Sequence, residues 1–318
     1  MKGIPHKYHH FVPQCYLKNF GHNKDNKGGY FINTYSKNIN KAIPMNIDNV
    51  CGEDFFYSLP DEYIAQQTPE ELNSLSIELD YFAANIELEY SSMLTQICNS
   101  IKLQSDQDIA IIDISDEDKF TLAKQIVVQY LRLPEVRTLD TDLSNSLDNQ
   151  MISLFQEGLA KELNKPEIAR LKIMPKRNEI VNHAFLSFMN EDLISSFAND
   201  LIKNIWTFYY SEEGKFYTCD SPVFAYGYVK NVRQENMGLT RYGVDTSIAL
   251  NPHLTLSIKD YRYFNKIENN IISRVTDNQL KHYNKIRFSH AKNYIFSYDN
   301  DFELIKTLNN ITKANGKA

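Results

Sequence analysis

The chain has 318 residues, of which 34 are basic and 40 acidic, so its formal net charge is -6. This length is sufficient for one large domain or two modest ones, and 42% apolar residues is ordinary for a globular protein. Proteins that neutralise a long nucleic-acid backbone usually have the opposite charge balance. Any contact with nucleic acid is therefore expected to be local.

The four cysteines are widely separated, and no Cys-x-x-Cys pair is present. This spacing argues against a zinc ribbon or a redox motif. The chain also lacks an apolar targeting segment at its start and any run approaching about 18 consecutive apolar residues. We therefore expect a protein of the reducing bacterial cytoplasm that does not associate with a membrane.

The first 20 residues carry three of the eight histidines together with a dense set of apolar residues. His9 and His10 are adjacent, and Pro13 follows them at a predicted turn. Aromatic residues continue to Phe20, which is untypical of a disordered tail and predicts that this segment packs against the rest of the chain. Imidazole transfers protons near neutral pH and is the commonest metal ligand, so the histidine pair is the first candidate site.

Three strands are predicted next, at 28–37, 42–47 and 54–59, and together they would form a small sheet. The pattern then changes to apolar residues spaced three and four apart, which predicts a long helix beginning near Pro69. Its buried stripe consists of Leu72, Leu75, Leu79, Phe82, Ile86, Met93 and Ile97.

Further helices follow. Ser115 and Asp118 have the spacing of a capping box at the start of a helix that Pro134 closes or kinks. Helical patterns then cover 136–163 and 178–203. We therefore predict that residues 69–203 are almost entirely helical, with four side chains facing the core: Leu72, Leu79, Phe82 and Ile86.

Beyond Ile205 the apolar period returns to two, which predicts a series of strands. These lie at 206–210, 215–219, 223–229, 247–250, 254–258 and 293–297, with a helix from Thr276 to about Ala291 before the last strand. The order of elements favours an α+β fold in a single domain, with a helical middle segment between a small N-terminal β region and a β-rich C-terminal region. Its sub-regions are 1–60, 69–203 and 204–318.

Several sequence blocks resemble the bacterial domain-of-unknown-function family 4238. The first is the His-His-aromatic-x-Pro-x-x-Tyr-Leu-x-x-Phe opening, and the others follow in the family's order: Glu53–Tyr57, Gln129–Pro134, Thr218–Pro222, Ala249–Pro252 and the helix containing Asn284. Two positions depart from the family pattern, since Cys219 and Asn251 stand where serine is usual. The resemblance implies a setting in mobile or anti-phage defence loci, where such proteins act as toxins or effectors, and it does not specify a reaction.

Polar residues within these blocks form the candidate site, because charged groups beside buried positions need partners or a ligand. A cluster of histidine, carboxylate and arginine suits phosphodiester hydrolysis. We therefore expect a metal-dependent hydrolase, specifically a nuclease effector. We expect His10 to act as the general base or as a metal ligand, with His9 beside it in the site. Asp220 and Glu53 are expected to be metal-binding or orienting carboxylates. Arg132 would bind the phosphate, and Asn284 would orient the ligand. The expected metal is Mg²⁺ or Mn²⁺.

Structural roles for the same residues stay open. His9 and His10 could fasten the N-terminal segment to backbone carbonyls, and Asp220 could cap a turn before Pro222. Arg132 could be a buried cation favoured by a helix C-terminus. The alternative function is a non-catalytic sensor or adaptor that binds a nucleotide or a phage component, with a defence-system protein as partner. His290 lies near the end of the Asn284 helix, and its role is left open.

Overall fold

The computed structural model describes residues 8–24, 29–58, 77–104, 108–171, 187–229 and 238–315. Helices within these ranges are a short α1 (Gln14–Leu17), α2 (Glu87–Gln104), α3 (Asp116–Leu131), α4 (Pro134–Glu162), α5 (Glu191–Ile202), α6 (Asp277–His290) and α7 (Glu303–Asn315). A π-helical stretch, Ile77–Ile86, leads directly into α2. None of the described helices is long and apolar enough to cross a membrane.

The described strands form three sheets. They are β1 (Tyr8–His10), β2 (His22–Lys24), β3 (Gly29–Ser36), β4 (Lys41–Asn46), β5 (Gly52–Asp54), β6 (Ile109–Ile111), β7 (Ile205–Tyr210), β8 (Thr218–Cys219), β9 (Phe224–Gly227), β10 (Val244–Asn251), β11 (Leu254–Lys259), β12 (Ile271–Arg274) and β13 (Tyr294–Ser297). The largest sheet has the order β6-β12-β7-β11-β10-β9, a second has the order β2-β3-β13-β8 with β4 on β3, and β1 pairs with β5. The predicted α+β class is confirmed.

The central strands of the six-stranded sheet lie in the core. Every residue of β11 is buried, and so are all but the last residue of β10. The sequence of β10 is not continuously apolar, because the polar residues Asp245, Thr246 and Ser247 are buried in it together with apolar ones. Trp206 of β7 is fully buried, and its indole N–H donates to the carbonyl of Leu201 at the end of α5 (3.0 Å).

The N-terminal segment packs into this core, as predicted. Tyr16, Leu17 and Phe20 are fully buried. The Tyr16 hydroxyl donates to the carbonyl of Ala249 in β10 (2.7 Å) and lies 2.6 Å from the Thr218 hydroxyl of β8. These bonds connect residues more than 200 positions apart in the chain, so the opening block helps to fix the strands that carry the later blocks.

Several predicted helical features are confirmed in the described residues. Ser115 caps α3 by accepting a hydrogen bond from the Asp118 N–H, and Thr276 opens α6 with a complete capping box. Pro134 does not kink a helix; it occupies the first turn of α4, where its missing N–H costs no hydrogen bond. Phe82 is fully buried, whereas Ile86 is partly buried against the same core.

Other parts of the helical prediction lie outside the described residues. These are the expected helix start near Pro69, Leu72, Leu75, the side chain of Leu79, and positions 178–186. The prediction that 69–203 contains no strand is wrong, because Ile109–Ile111 forms β6 and pairs antiparallel with β12. Two β-branched isoleucines flank Ala110 in this short segment, and three residues are too few to establish a period in the sequence.

The remaining differences also involve short elements. The strand predicted at 54–59 is instead β5, which ends at Asp54 because Phe55 adopts a left-handed backbone conformation (φ 58°). Strand β5 pairs with β1 rather than with the β3–β4 hairpin. Strand β12 and helix α7 were not predicted, although the buried Phe302, directly before α7, and the buried Ile305 within it have helical spacing.

Candidate functional site

A cavity of about 540 Å³ opens where the first turns of α4 meet the β8–β9 connection and the end of α6. Phe11 and Phe224 supply part of its apolar wall. Its polar wall includes Glu53, Glu135, Asp220, Ser221, His290 and Lys292. Ligand sites are concave, mostly apolar and furnished with a few convergent polar groups, and this cavity fits that description.

Asp220 lines one side of the cavity, and three backbone hydrogen bonds hold its carboxylate in place. Its carboxylate accepts the backbone N–H groups of Lys292 (2.9 Å), Asn293 (2.7 Å) and Tyr294 (3.0 Å), which follow the end of α6. Burial raises the pKa of Asp220, while these three N–H donors act in the opposite direction. The aspartate therefore fixes the turn between α6 and β13, and a carboxylate lines the cavity as a result.

Ser221 and Glu135 form a side-chain pair on the cavity wall. The Ser221 hydroxyl donates to the Glu135 carboxylate (2.6 Å). Glu135 lies in the first turn of α4, directly after Pro134, where the helix dipole favours a negative charge. A hydroxyl that donates to a carboxylate at this distance has its oxygen lone pairs available for a ligand or for attack on one.

His290 is the last residue of α6, and its ring stacks on Phe224 with the ring centroids 5.0 Å apart. Burial, followed by the nearby positive charge of Lys292, lowers the pKa of His290 below its ordinary value of 6.5. The imidazole is therefore neutral at pH 7. Neither ring nitrogen has a hydrogen-bond partner among the described residues, so the ring can accept a proton or bind a ligand.

The histidine pair of the opening block lies in a different environment. His9 and His10 are 2% and 3% exposed. His9 Nδ1 accepts the backbone N–H of Tyr57 (2.9 Å), and its ring stacks on the Tyr57 ring. His10 Nε2 lies 3.3 Å from the Asp48 carbonyl oxygen, and His10 Nδ1 lies 3.4 Å from the Glu78 carboxylate.

Arg132 completes this buried polar cluster. Its guanidinium is 0% exposed and donates to the His10 carbonyl (2.6 Å), the Tyr57 hydroxyl (3.1 Å) and the Glu87 carboxylate (3.0 Å). Burial raises the pKa of Glu78, but hydrogen bonds from His10 and the Arg132 charge outweigh it and hold that pKa below its usual range. We call this set, which consists of His9, His10, Tyr57, Glu78, Glu87 and Arg132, the anchor cluster.

The residues predicted to share one site are therefore divided between two places. Asp220 and Glu53 line the cavity, whereas His9, His10 and Arg132 do not. Arg132 contacts the histidine segment directly, so that part of the expected grouping is present. The catalytic roles expected for the histidines remain predictions, and the geometry gives them a competing role as fasteners of the N-terminal segment.

Two other expected roles, those of Asn284 and of the metal ligands, also stay predictions. Asn284 uses its amide to accept the Tyr217 N–H (3.1 Å) and to donate to the Lys215 carbonyl (2.9 Å), so the same side chain also fastens a loop. In the described parts of the chain, no three His, Cys, Asp or Glu side chains are grouped so that they could hold a metal ion. The metal set expected from His10, Asp220 and Glu53, with Mg²⁺ or Mn²⁺, stays a prediction; Asp220 and Glu53 line the cavity, and His10 lies in the anchor cluster.

Glu135, Ser221, His290 and Lys292 line the cavity but were not among the predicted site residues. Two of them had a signal in the sequence. Glu135 directly follows the Gln129–Pro134 block, and Ser221 lies within the Thr218–Pro222 block. His290 and Lys292 flank the end of α6, and only the packing of that helix end against β9 brings them to the cavity.

A family described as "Protein of unknown function (DUF4238)" matches residues 8–301. The match covers most of the chain and includes every residue of the cavity and of the anchor cluster. Neither the curated proteins nor the solved structures contain a match to the chain.

Proposed function

Since the chain belongs to DUF4238, a family of unknown function, we propose a function from the geometry of the cavity. The protein is a hydrolase whose substrate reacts between His290 and the Ser221–Glu135 pair. The observation that supports this proposal most is that His290, whose pKa is lowered by burial and which has no hydrogen-bond partner among the described residues, lines the same cavity as three carboxylates. Perturbed titratable groups that converge in a cleft are typical of functional sites.

In this proposal His290 acts as the general base. A neutral imidazole accepts a proton from water, and general-base catalysis of this kind typically contributes about 100- to 10,000-fold in rate. Glu135 holds the serine hydroxyl in one orientation. Lys292, the cation on the cavity wall, is placed to offset negative charge that develops on the substrate.

The predicted phosphodiester substrate and the defence role stay part of this proposal. The three carboxylates of the wall repel a polyanion, so a nucleic-acid substrate would have to bring cations with it. A nuclease assay should therefore include Mg²⁺ or Mn²⁺, the metals that the sequence predicts.

The test is a hydrolysis screen with purified protein on single- and double-stranded RNA and DNA and on a chromogenic phosphodiester, each with Mg²⁺, Mn²⁺ or EDTA. We expect activity that His290→Asn lowers at least 100-fold, the low end of a typical general-base contribution. His253→Asn is the matched control, because His253 lies outside the cavity and is exposed. Activity that is equal in both variants would refute the assignment of the base.

A second function, a non-catalytic sensor or adaptor, is favoured by the hydrogen bonds that polar side chains of the cavity already make within the protein. Asp220 accepts three backbone N–H groups, and Ser221 donates to Glu135. Neither side chain therefore needs a ligand to satisfy its hydrogen bonds. Thermal shift with nucleotides distinguishes the two functions. A stabilising nucleotide that is recovered unchanged after incubation supports binding, whereas conversion of the nucleotide supports hydrolysis.

A further inference from the structure

Three exposed tyrosines lie together at one end of the six-stranded sheet. Tyr242 directly precedes β10, and Tyr261 and Tyr263 follow the end of β11; they are 51%, 51% and 41% exposed. The Tyr242 and Tyr263 rings are in edge-to-face contact, with their centroids 5.8 Å apart. Exposed aromatic side chains are normally scattered singly over a surface, whereas a contiguous group of them marks an interaction site.

Arg262 joins the three rings into one surface. Its guanidinium carbon lies 5.6 Å from the centroid of Tyr242 and 5.9 Å from that of Tyr261. Two hydrogen bonds fix the guanidinium, since Nε donates to the buried Asp260 carboxylate (2.7 Å) and Nη2 donates to the Thr240 carbonyl (3.3 Å). Nη1 has no hydrogen-bond partner among the described residues, and the side chain is half-exposed. The Nη1 donors are therefore available to a ligand that stacks on the rings.

The charge around these rings is opposite in sign to that of the whole chain. Residues 238–268 contain four basic and three acidic residues, a formal charge of +1, against -6 for the chain. Two of the acids, Asp245 and Asp260, are buried and each pairs with a cation. After these pairs are discounted, Arg241 and Lys266 remain at the surface against Glu268 alone. A polyanion that the rest of the surface repels is thus tolerated here.

We propose that this tyrosine patch, which consists of Tyr242, Tyr261, Arg262 and Tyr263, binds single-stranded nucleic acid. Sites for single strands combine cations that contact the phosphates with aromatic rings on which successive bases stack. A guanidinium plane also stacks on bases, and the patch places one between two rings. The bases of a duplex are already stacked on one another, so the rings distinguish a single strand from a duplex.

Strand β9 connects the tyrosine patch to the cavity. Phe224 at its start lines the cavity, and the carbonyl of Tyr228, just beyond its end, accepts a hydrogen bond from the Tyr263 hydroxyl (3.4 Å). Four steps along a strand span about 13 Å. A strand bound at the patch would therefore hold a phosphodiester close to a cavity whose carboxylates repel it. The proposal deepens the proposed hydrolysis by naming where its substrate is held, but binding at the patch does not depend on that reaction.

Fluorescence anisotropy tests the binding, with fluorescein-labelled oligo(dT) and oligo(U) of about 20 nucleotides, somewhat longer than typical single-strand sites. The titrations are run in EDTA at about 50 mM NaCl, because such binding weakens steeply with salt. We expect the parent to bind both probes and Tyr242→Ala/Tyr263→Ala to bind them at least about 25-fold more weakly, since one stacked base contributes about 5-fold or more.

Three further variants separate stacking and charge from unspecific effects. Tyr242→Phe/Tyr263→Phe keeps both rings and should bind like the parent. Tyr30→Ala/Tyr298→Ala is the matched control, because it removes two exposed tyrosines outside the patch and should also bind like the parent. Arg241→Gln should flatten the slope of log K against log salt by about 0.7, the contribution of one phosphate contact on a single strand.

A parent protein that binds neither oligonucleotide, or an alanine double variant that binds as tightly as the parent, would overturn the proposal. A duplex bound as tightly as the single strands would overturn the assignment to single strands. Failure of the proposed hydrolysis looks different: the parent then binds the oligonucleotides but leaves them intact with every metal. Cleavage by the parent together with unchanged affinity in Tyr242→Ala/Tyr263→Ala would refute the patch alone.

Discussion

Replacing Arg132 with methionine tests the anchor cluster most severely. The guanidinium is fully buried, makes three hydrogen bonds, and lies 3.7 Å from the centroid of the Phe82 ring. Methionine keeps much of the apolar volume but leaves Glu78 and Glu87 without their cation. Removing one partner of a buried ion pair typically costs about 3–5 kcal/mol of unfolding free energy.

The assay is urea denaturation at pH 7, with the free energy of unfolding obtained by linear extrapolation. Lys203→Met is the control, because its pair with Asp200 is exposed and should change stability by no more than about 0.5–1 kcal/mol. Adding Glu78→Gln and Glu87→Gln to Arg132→Met should restore part of the loss, since the unpaired buried charges are then absent. A loss below about 1 kcal/mol for Arg132→Met would refute the reasoning, since breaking a buried pair costs several times more.

Three further predictions concern the cavity and its supports. Asp220→Asn should lower the free energy of unfolding by about 2–4 kcal/mol, because an amide cannot accept three backbone N–H groups; an unchanged urea midpoint would contradict this. Asn284→Ala should cost about 2 kcal/mol through two lost backbone contacts, whereas exposed Asn278→Ala should be neutral in the same denaturation assay. The acid limb of the pH–rate profile should fall below pH 6.5, because a lowered His290 pKa keeps the imidazole neutral to lower pH. His290→Asn should remove this limb, and a limb above pH 6.5 that persists in the variant would exclude His290 as the base.

Long periodic segments of this fold could be predicted from the sequence, and short ones could not. The capping residues Ser115 and Thr276 marked the true starts of α3 and α6, since side-chain caps are local interactions that neighbouring residues determine. The strand Ile109–Ile111 depends on its partner β12, which lies about 160 residues further along the chain. Three residues carry no readable period, so only tertiary pairing reveals such a strand.

The candidate site shows the same limit. Burial of His9, His10, Arg132 and Asp220 could be inferred from their apolar neighbours, and all four are buried. Sequence spacing cannot tell which buried polar groups pair with each other, because that depends on the packing of distant elements. The packing of a helix end places His290 in the cavity wall, whereas His9 contacts Tyr57 and His10 contacts Glu78.

The central claim is that chemistry occurs at the cavity and that the histidine pair holds the fold together. The most direct test is to measure kcat per folded molecule and the free energy of unfolding for His290→Asn and His10→Asn on the same substrate. His290→Asn should lose at least 100-fold in kcat with nearly parental stability. His10→Asn should lose about 1–3 kcal/mol of stability while its kcat per folded molecule stays parental. The reverse pattern, with parental kcat in His290→Asn and a lost kcat in a stably folded His10→Asn, would contradict the account.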